Sequence, residues 1–166
     1  MKRIYWDETQ NSECIGIIMK DAQVIPAGAV VYSMPVNDKN SKYERFAKEY
    51  HIHFIFDDDI PTLSFYTIPM VSIFAADGQG GYIGSIGETV DIRGTAPICY
   101  IDPSKKCFLV AENAGKLLEI ADHWKEAMTP YTEIEFFDSL KTAKAKYEFL
   151  DITEIKQTLS QESSGR

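Results

Sequence analysis

Two histidines separated by a single residue form the most obvious metal-binding pattern in the sequence. Residues two apart on a β-strand point to the same side, so His51 and His53 could both reach one ion, with Asp57 or Asp59 nearby. A transition-metal site needs three or four converging ligands, and the only other histidine is His123, far along the chain. We therefore predict no metal site and interpret the two histidines as a solvent-facing pair on an amphipathic strand.

Three adjacent carboxylates, Asp57, Asp58 and Asp59, form a second candidate. They could bind a hard cation or supply half of an acid/base pair, but they lack the alternating D-x-D-x-D-G ligand pattern of calcium loops. The structural interpretation is a solvated turn before Pro61. The functional interpretation is a recognition patch for a basic partner, because like charges on one loop concentrate negative potential.

The densest glycine cluster spans residues 78–81, with Gly84 and Gly87 after it. A phosphate-binding loop would need a helix start downstream, with a Walker-type lysine or a G-x-G-x-x-G spacing. Neither spacing fits, no lysine follows, and the next residues, from Tyr82 to Ile86, resemble a strand. We therefore predict a tight turn or bulge that joins two strands through backbone positions of positive φ.

No nucleophile in the sequence has the context that catalysis requires. Ser85 has glycines on either side but lies within a strand pattern, and the G-x-S-x-G motif is missing. The three cysteines have no C-x-x-C spacing and lie in apolar stretches, so we interpret Cys14, Cys99 and Cys107 as buried, reduced thiols. We predict no catalytic residue, no cofactor and no enzymatic activity.

The elements that must position these residues begin with strands. Runs rich in β-branched and aromatic residues predict strands at 14–19, 24–32, 51–56, 62–66 and 70–74, with Lys20 and Asp21 as a hairpin turn between the first two. A helix should run from about Ser41 to Tyr50, capped by Asn40 or Ser41. Further strands are predicted at 82–86, 98–101 and 107–110, with a hairpin turn at 102–105.

The last third of the chain changes to helical spacing. Asn113 should cap an amphipathic helix whose buried face consists of Ala114, Leu117, Leu118, Ala121 and Trp124, and which ends before Thr129. Another helix is predicted around Leu140–Tyr147, a short one around 152–159, and a disordered tail at 160–166. Strands followed by helices predict one α+β domain over residues 1–159, with an antiparallel or mixed β-sheet and helices packed mainly on one face.

Charge and composition narrow the class of partner. Lysine and arginine number 17 against 25 aspartate and glutamate, which gives a formal net charge of -8. A nucleic-acid binder needs a basic face, so that class is not expected, whereas an acidic surface can steer a protein towards a basic partner. Asp7 and Glu8 interrupt any signal-peptide pattern, and the uncharged run at 60–76 contains two prolines, so we expect no membrane span and a cytoplasmic location.

The order of segments between residues 73 and 121 resembles a known family. An apolar strand leads into the glycine turn at 73–82, a strand at 96–102 ends in a polar hairpin, and a strand at 108–113 precedes the helix with Leu117 and Leu118. This order is similar to that of the SUKH superfamily. The family usually opens with a helix and a Leu-Pro segment, and that segment is missing here.

The resemblance implies an α+β fold, no enzymatic activity, and a role as an immunity protein that binds and neutralises a bacterial toxin, often a nuclease. A basic toxin domain is therefore the expected partner, and its contact residues are expected in the acidic loop and the glycine turn: Asp57, Asp58, Asp59, Asp77, Gln79, Tyr82 and Glu88. A small-molecule or regulatory ligand-binding domain with a pocket at the glycine turn is the alternative. An enzyme that uses the aspartates or histidines is a third possibility, and the oligomeric state is left open.

Overall fold

The computed structural model describes residues 2–9, 22–89, 91 and 93–150. Its strands are β1 (Lys2–Asp7), β2 (Ala22–Ala27), β3 (Ala29–Val31), β4 (His53–Phe54), β5 (Tyr66–Ile68), β6 (Val71–Ala76), β7 (Tyr82–Ile86), β8 (Ile98–Ile101), β9 (Cys107–Ala111), β10 (Thr129–Pro130) and β11 (Glu135–Phe137). Its helices are α1 (Ser41–Tyr50), α2 (Ala114–Glu119) and α3 (Leu140–Lys146), with 3₁₀ helices at Val36–Asp38 and Ala121–Ala127. The predicted α+β class is confirmed.

The main sheet is mixed, as predicted. Its strands follow the order β10-β9-β8-β7-β6-β3, and β4 also pairs with β6. Every pair is antiparallel except β3 with β6. The central strands β6, β7 and β8 are almost entirely buried, because both faces of the sheet are covered and the sequence there is continuously apolar.

Helices cover one face of the main sheet. Phe46 of α1, Leu117 of α2 and Trp124 of the second 3₁₀ helix pack in one core cluster with strand residues such as Ile83 and Ile98. The opposite face packs against chain segments near Leu63, Phe65 and Ile134 instead. Helix α3 belongs to a separate cluster with the small sheets. The predicted arrangement, with helices mainly on one face, matches this packing.

Both predicted helix caps are confirmed. The side-chain oxygen of Asn40 accepts hydrogen bonds from the amides of Lys42 and Tyr43, and that of Asn113 accepts one from the amide of Lys116. Each cap satisfies amide groups that have no partner within the helix. These interactions are local in sequence, which is why a cap residue before an apolar repeat could locate both helix starts.

Three strand predictions and one helix prediction need correction. The strand predicted at 24–32 is two strands, β2 and β3, which are separated at Gly28 and belong to different sheets. Residues 62–65 form no strand, and β5 begins only at Tyr66. The predicted strand at 51–56 is reduced to β4, because His51 (φ 58°) takes the left-handed position that ends α1. The predicted single helix after Asn113 is a short α-helix followed by a 3₁₀ helix, which is interrupted at His123 (φ -141°).

The amino-terminal pairing was not predicted. Strand β1 pairs with β2 in parallel, so the two segments need a crossover instead of a tight hairpin. The strand predicted at 14–19, the turn at Lys20 and Asp21, the helix at 152–159 and the tail at 160–166 lie outside the described residues. In the part of the chain that is described, no helix has the length and apolar character needed to cross a membrane.

Replacing Trp124 with alanine should lower the free energy of unfolding by about 3–5 kcal/mol, the range for emptying a large buried aromatic site. The Trp124 side chain is 2% exposed, its indole N–H donates to the carbonyl of Tyr50 at 2.7 Å, and its ring meets Tyr100 edge-on at 5.4 Å between centroids. Urea unfolding followed by circular dichroism measures the change. Trp124→Phe keeps most of the packing and should cost less. Wild-type stability of Trp124→Ala would mean that this helical face is not part of the core.

Candidate functional site

The acidic loop and the glycine turn, which lie 20 residues apart in sequence, line one cleft. This glycine cleft has a volume of about 360 Å³. Its walls include Asp58 and Asp59 on one side, and Gly78, Gly80 and Tyr82 on the other. Strand β4 connects the two sides, because it pairs with the end of β6 just before the turn. The structure thus brings the acidic loop and the glycine turn together.

A buried carboxylate organises the glycine turn. Asp77 Oδ1 accepts hydrogen bonds from the amides of Gln79 (2.7 Å) and Gly81 (2.9 Å), and Asp77 Oδ2 accepts one from the hydroxyl of Tyr100 (2.6 Å). Gly78 (φ 82°) and Gly80 (φ 96°) take the backbone conformation that L side chains avoid. The predicted tight turn between two strands, with positive φ at glycines, is confirmed.

Gly81 is required for a different reason, which is close packing. A Cβ atom at this position would lie 2.2 Å from the Tyr100 hydroxyl oxygen, far inside van der Waals contact. The missing side chain therefore lets the Tyr100 hydroxyl reach Asp77. Gly78 and Gly80 thus allow the backbone of the turn, and Gly81 allows the Tyr100 hydroxyl to reach Asp77.

The hydrogen bonds around Asp77 determine its ionisation. Burial favours the neutral acid, but the hydrogen bonds from Tyr100 and from the two turn amides outweigh burial, so the pKa of the Asp77 carboxyl lies below its usual value. Burial and the nearby Asp77 carboxylate raise the pKa of the Tyr100 hydroxyl. The pair is therefore a carboxylate and a neutral phenol, in which the phenol donates.

The predicted contact residues separate into different environments. Asp77 is only 3% exposed, so its carboxylate cannot contact a partner, and that prediction is wrong for a physical reason: its oxygens hold the turn. Gln79 is exposed on the turn, and Tyr82 is half-buried, with its ring 6.3 Å from that of Phe65. Glu88 is exposed but follows β7 at the end opposite Tyr82, where its carbonyl accepts a hydrogen bond from Ser85.

The three loop aspartates are all exposed, but they differ in their partners. Asp57 accepts a hydrogen bond from the hydroxyl of Ser33. Asp58 forms an ion pair with Lys39 at 2.6 Å, and the hydrogen bond from Lys39 lowers the pKa of the Asp58 carboxyl. The carboxylate of Asp59 has no hydrogen bond or ion pair to any residue that the structure describes. The loop is a solvated turn that keeps negative charge available.

A neighbouring segment, which the sequence reasoning missed, adds apolar area beside the loop. Met34 and Phe56 form a parallel bridge, and the amide of Asp57 donates to the carbonyl of Met34 at 2.9 Å. Among the described residues, the large apolar side chains classed as exposed are Tyr32 (42%), Val36 (43%) and Ile60 (53%), and all belong to these two bridged segments. We call the following set the acidic surface: Tyr32, Val36, Asp38, Asp57, Asp58, Asp59 and Ile60.

A second depression, the apolar groove, adjoins the glycine cleft at Phe54. Its volume is about 240 Å³, below the roughly 300 Å³ of the smallest usual ligand pockets. The groove opens between α1 and α2 over the sheet and is lined by Tyr32, Met34, Lys42, Tyr43, Phe46, Phe54, Phe74, Ala114, Leu117 and Leu118. The apolar spacing of both helices was visible in the sequence, but the gap between the helices depends on tertiary packing.

The remaining candidates for chemistry are not assembled into a reactive site. Within the described ranges, no three histidine, cysteine, aspartate or glutamate side chains are placed to hold a metal ion. His51 and His53 do not share a strand face, since His51 belongs to the end of α1. Ser85 is fully buried and donates to the carbonyl of Glu88. Cys99 and Cys107 are buried free thiols, as predicted, whereas Cys14 lies outside the described residues.

Comparison with protein-family models, with curated proteins and with solved structures finds no match to this chain. The resemblance to the SUKH superfamily therefore stays a prediction from the order of segments. Function is therefore inferred from the geometry of the acidic surface, the glycine cleft and the apolar groove.

Replacing Asp77 with alanine should lower the free energy of unfolding by about 3 kcal/mol or more, because it removes three hydrogen bonds to a carboxylate and leaves buried donors unpaired. Asp77→Asn should cost less, since its amide oxygen can still accept from the two turn amides. The folded-state pKa of Asp77 lies below the ordinary value of 3.8, so the ionised carboxylate stabilises the fold above that pH and loses this effect as the pH falls. The advantage of the wild type over Asp77→Asn should therefore shrink below about pH 4.

Chemical denaturation at pH 3 to 7 measures these differences. Asp138→Asn is the control, because the Asp138 side chain is 89% exposed and its removal should change the stability by no more than about 0.5 kcal/mol. Equal stability of Asp77→Ala and Asp138→Asn would contradict the role given to the buried carboxylate.

Proposed function

We propose that this protein is a non-enzymatic binding module that recognises a basic protein through the acidic surface. One observation carries the proposal: the exposed large apolar side chains of the described residues lie on the same two bridged segments as four carboxylates. Apolar area that is ringed by charge is typical of protein interfaces, where the apolar part is desolvated and the charged rim sets orientation and specificity.

The acidic surface is held in place before any partner arrives. The Met34–Phe56 bridge joins its two segments, Ser33 binds Asp57, and Lys39 binds Asp58. The Lys39 ammonium also lies 5.3 Å from the centroid of the Phe56 ring. A surface that is already ordered loses less conformational entropy on binding, which favours a recognition role.

Charge indicates the class of partner. The net charge of the chain is -8, and only one of the three loop aspartates is neutralised by an ion pair within the described residues. Nucleases need basic grooves to bind phosphate, and an acidic protein surface can occupy such a groove. Together with the SUKH resemblance, this supports an immunity-type protein that neutralises a basic bacterial toxin, acting in the cytoplasm.

A small-molecule or regulatory ligand-binding domain is the second candidate. It is supported by the volume of the glycine cleft, about 360 Å³, which lies within the usual range for ligand pockets. Gly78 and Gly80, which are exposed and carry no side chain, line its wall. The cleft is open, however, and about half of its lining is polar, so a ligand there would remain in contact with solvent.

Replacing Asp57, Asp58 and Asp59 together with asparagine should slow association with the basic partner by about tenfold at low ionic strength, because opposite charges accelerate encounter. The difference should vanish as salt screens the charges. The partner is a basic toxin domain, obtained from the adjacent gene or by affinity capture and then purified. Stopped-flow association rates at several ionic strengths measure the effect. The fold should be unaffected, since the backbone of this loop makes the hydrogen bonds that hold it.

A matched control removes the same charge elsewhere. Glu112, Glu119 and Glu126 are exposed, and one of them, Glu119, forms an ion pair with Lys116, as Asp58 does with Lys39. Their combined replacement by glutamine should leave most of the rate and its salt dependence intact. If both triple variants slow association equally, the partner senses only net charge. If neither does, the acidic surface is not the binding surface.

A further inference from the structure

The apolar groove carries charge of the opposite sign to the rest of the molecule. Among its lining residues the only charged one is Lys42, in a chain whose net charge is -8. Within the described part of the chain, the Lys42 ammonium forms no ion pair and no side-chain hydrogen bond, whereas the nearby Lys39 is occupied by Asp58. An unpaired cation is thus present at the edge of an apolar cavity.

Aromatic rings in mutual contact form the inner wall of the groove, and its outer side is open to solvent. The ring of Tyr43 meets that of Phe54 edge-on at 5.1 Å, and the ring of Phe46 meets that of Phe54 at 5.6 Å. Phe74 lies behind them in the sheet, with its ring 6.2 Å from that of Phe54. On the open side, Leu118 is only half-buried and Tyr32 is exposed. Preformed apolar sites with a few polar groups are the usual form of small-molecule sites.

We propose that the apolar groove binds a medium-chain carboxylate amphiphile, with its alkyl chain along the aromatic wall and its carboxylate at Lys42. The groove volume of about 240 Å³ is smaller than a drug-sized site, which favours a chain such as that of octanoate over a long-chain lipid. A carboxylate complements Lys42, and an apolar chain replaces water at Phe54 and Leu118. The site shares Tyr32 with the acidic surface, but the only charged residue that lines it is Lys42, whereas the carboxylates of the acidic surface would repel the same ligand.

Isothermal titration of the full chain with hexanoate, octanoate and heptanol separates the two parts of the ligand. Affinity should rise about fourfold per added methylene from hexanoate to octanoate, the change that matches burial of one methylene group. Heptanol has the same alkyl chain as octanoate but no carboxylate, so octanoate should bind about fivefold tighter than heptanol, the change expected for one exposed ion pair. Equal affinity for octanoate and heptanol, or no dependence on chain length, would overturn the proposal.

Variants test each wall of the groove. Lys42→Gln should remove the preference for octanoate over heptanol without loss of stability, because the Lys42 ammonium has no partner among the described residues. Lys48→Gln is the matched control: it removes an exposed lysine of the same helix that does not line the groove, and it should bind octanoate like the wild type. Leu118→Trp should fill the groove and weaken octanoate and heptanol together.

Other outcomes would assign the groove differently. A similar loss of affinity in Lys42→Gln and Lys48→Gln would mean that octanoate senses only surface charge, which overturns the proposal. Binding of an apolar peptide without a free carboxylate, in the absence of octanoate binding, would identify the groove as a protein-docking site instead. If circular dichroism shows that Leu118→Trp is not folded, the comparison of Lys42→Gln with Lys48→Gln still tests the proposal.

Discussion

The burial of one ionised carboxylate constrains the centre of this fold. A buried charge is tolerated only when its oxygens are fully partnered, and Asp77 achieves this by closing the glycine turn onto itself and accepting from Tyr100. The Tyr100 ring then packs edge-on against Trp124, whose indole binds the last carbonyl of α1 at Tyr50. One line of contacts therefore runs from the turn between β6 and β7 to the helical layer.

This arrangement explains why the residues with strongly shifted pKa values do not lie on the proposed binding surface. The pKa shifts of Asp77 and Tyr100 arise from burial and from their mutual hydrogen bond, and burial together with Asp7 likewise raises the pKa of Tyr66. Such shifts often indicate catalytic groups, but structural pairs produce them as well. In this protein the strongly shifted groups hold strands and turns, while the charges available to a partner are on exposed loops.

The sequence predicted those parts of the structure that depend on local rules. The strands β7 and β8 have their predicted bounds, and the caps at Asn40 and Asn113 are the predicted residues, because runs of strand-forming residues and helix capping act over a few positions. Pairings between distant segments were beyond such rules. The parallel β1–β2 pair and the Met34–Phe56 bridge, which completes the acidic surface, depend on the packed fold. Residue type also could not tell that Asp77 is buried whereas Asp59 is exposed.

The start of α1 divides positive charge between two surfaces. Lys39 precedes the helix and forms an ion pair with Asp58. This ion pair holds one side of the acidic loop in place, and the loop keeps a net negative charge. Three residues later, Lys42 lines the apolar groove and has no ion-pair partner in the described part of the chain. A basic protein that approached the loop would compete with Lys39 for Asp58, whereas an anionic ligand in the groove would avoid the loop and meet Lys42. The two depressions share Phe54 as a wall, but the charged residues that line them differ: Lys42 lines the groove, whereas Lys39, Asp58 and Asp59 line the glycine cleft.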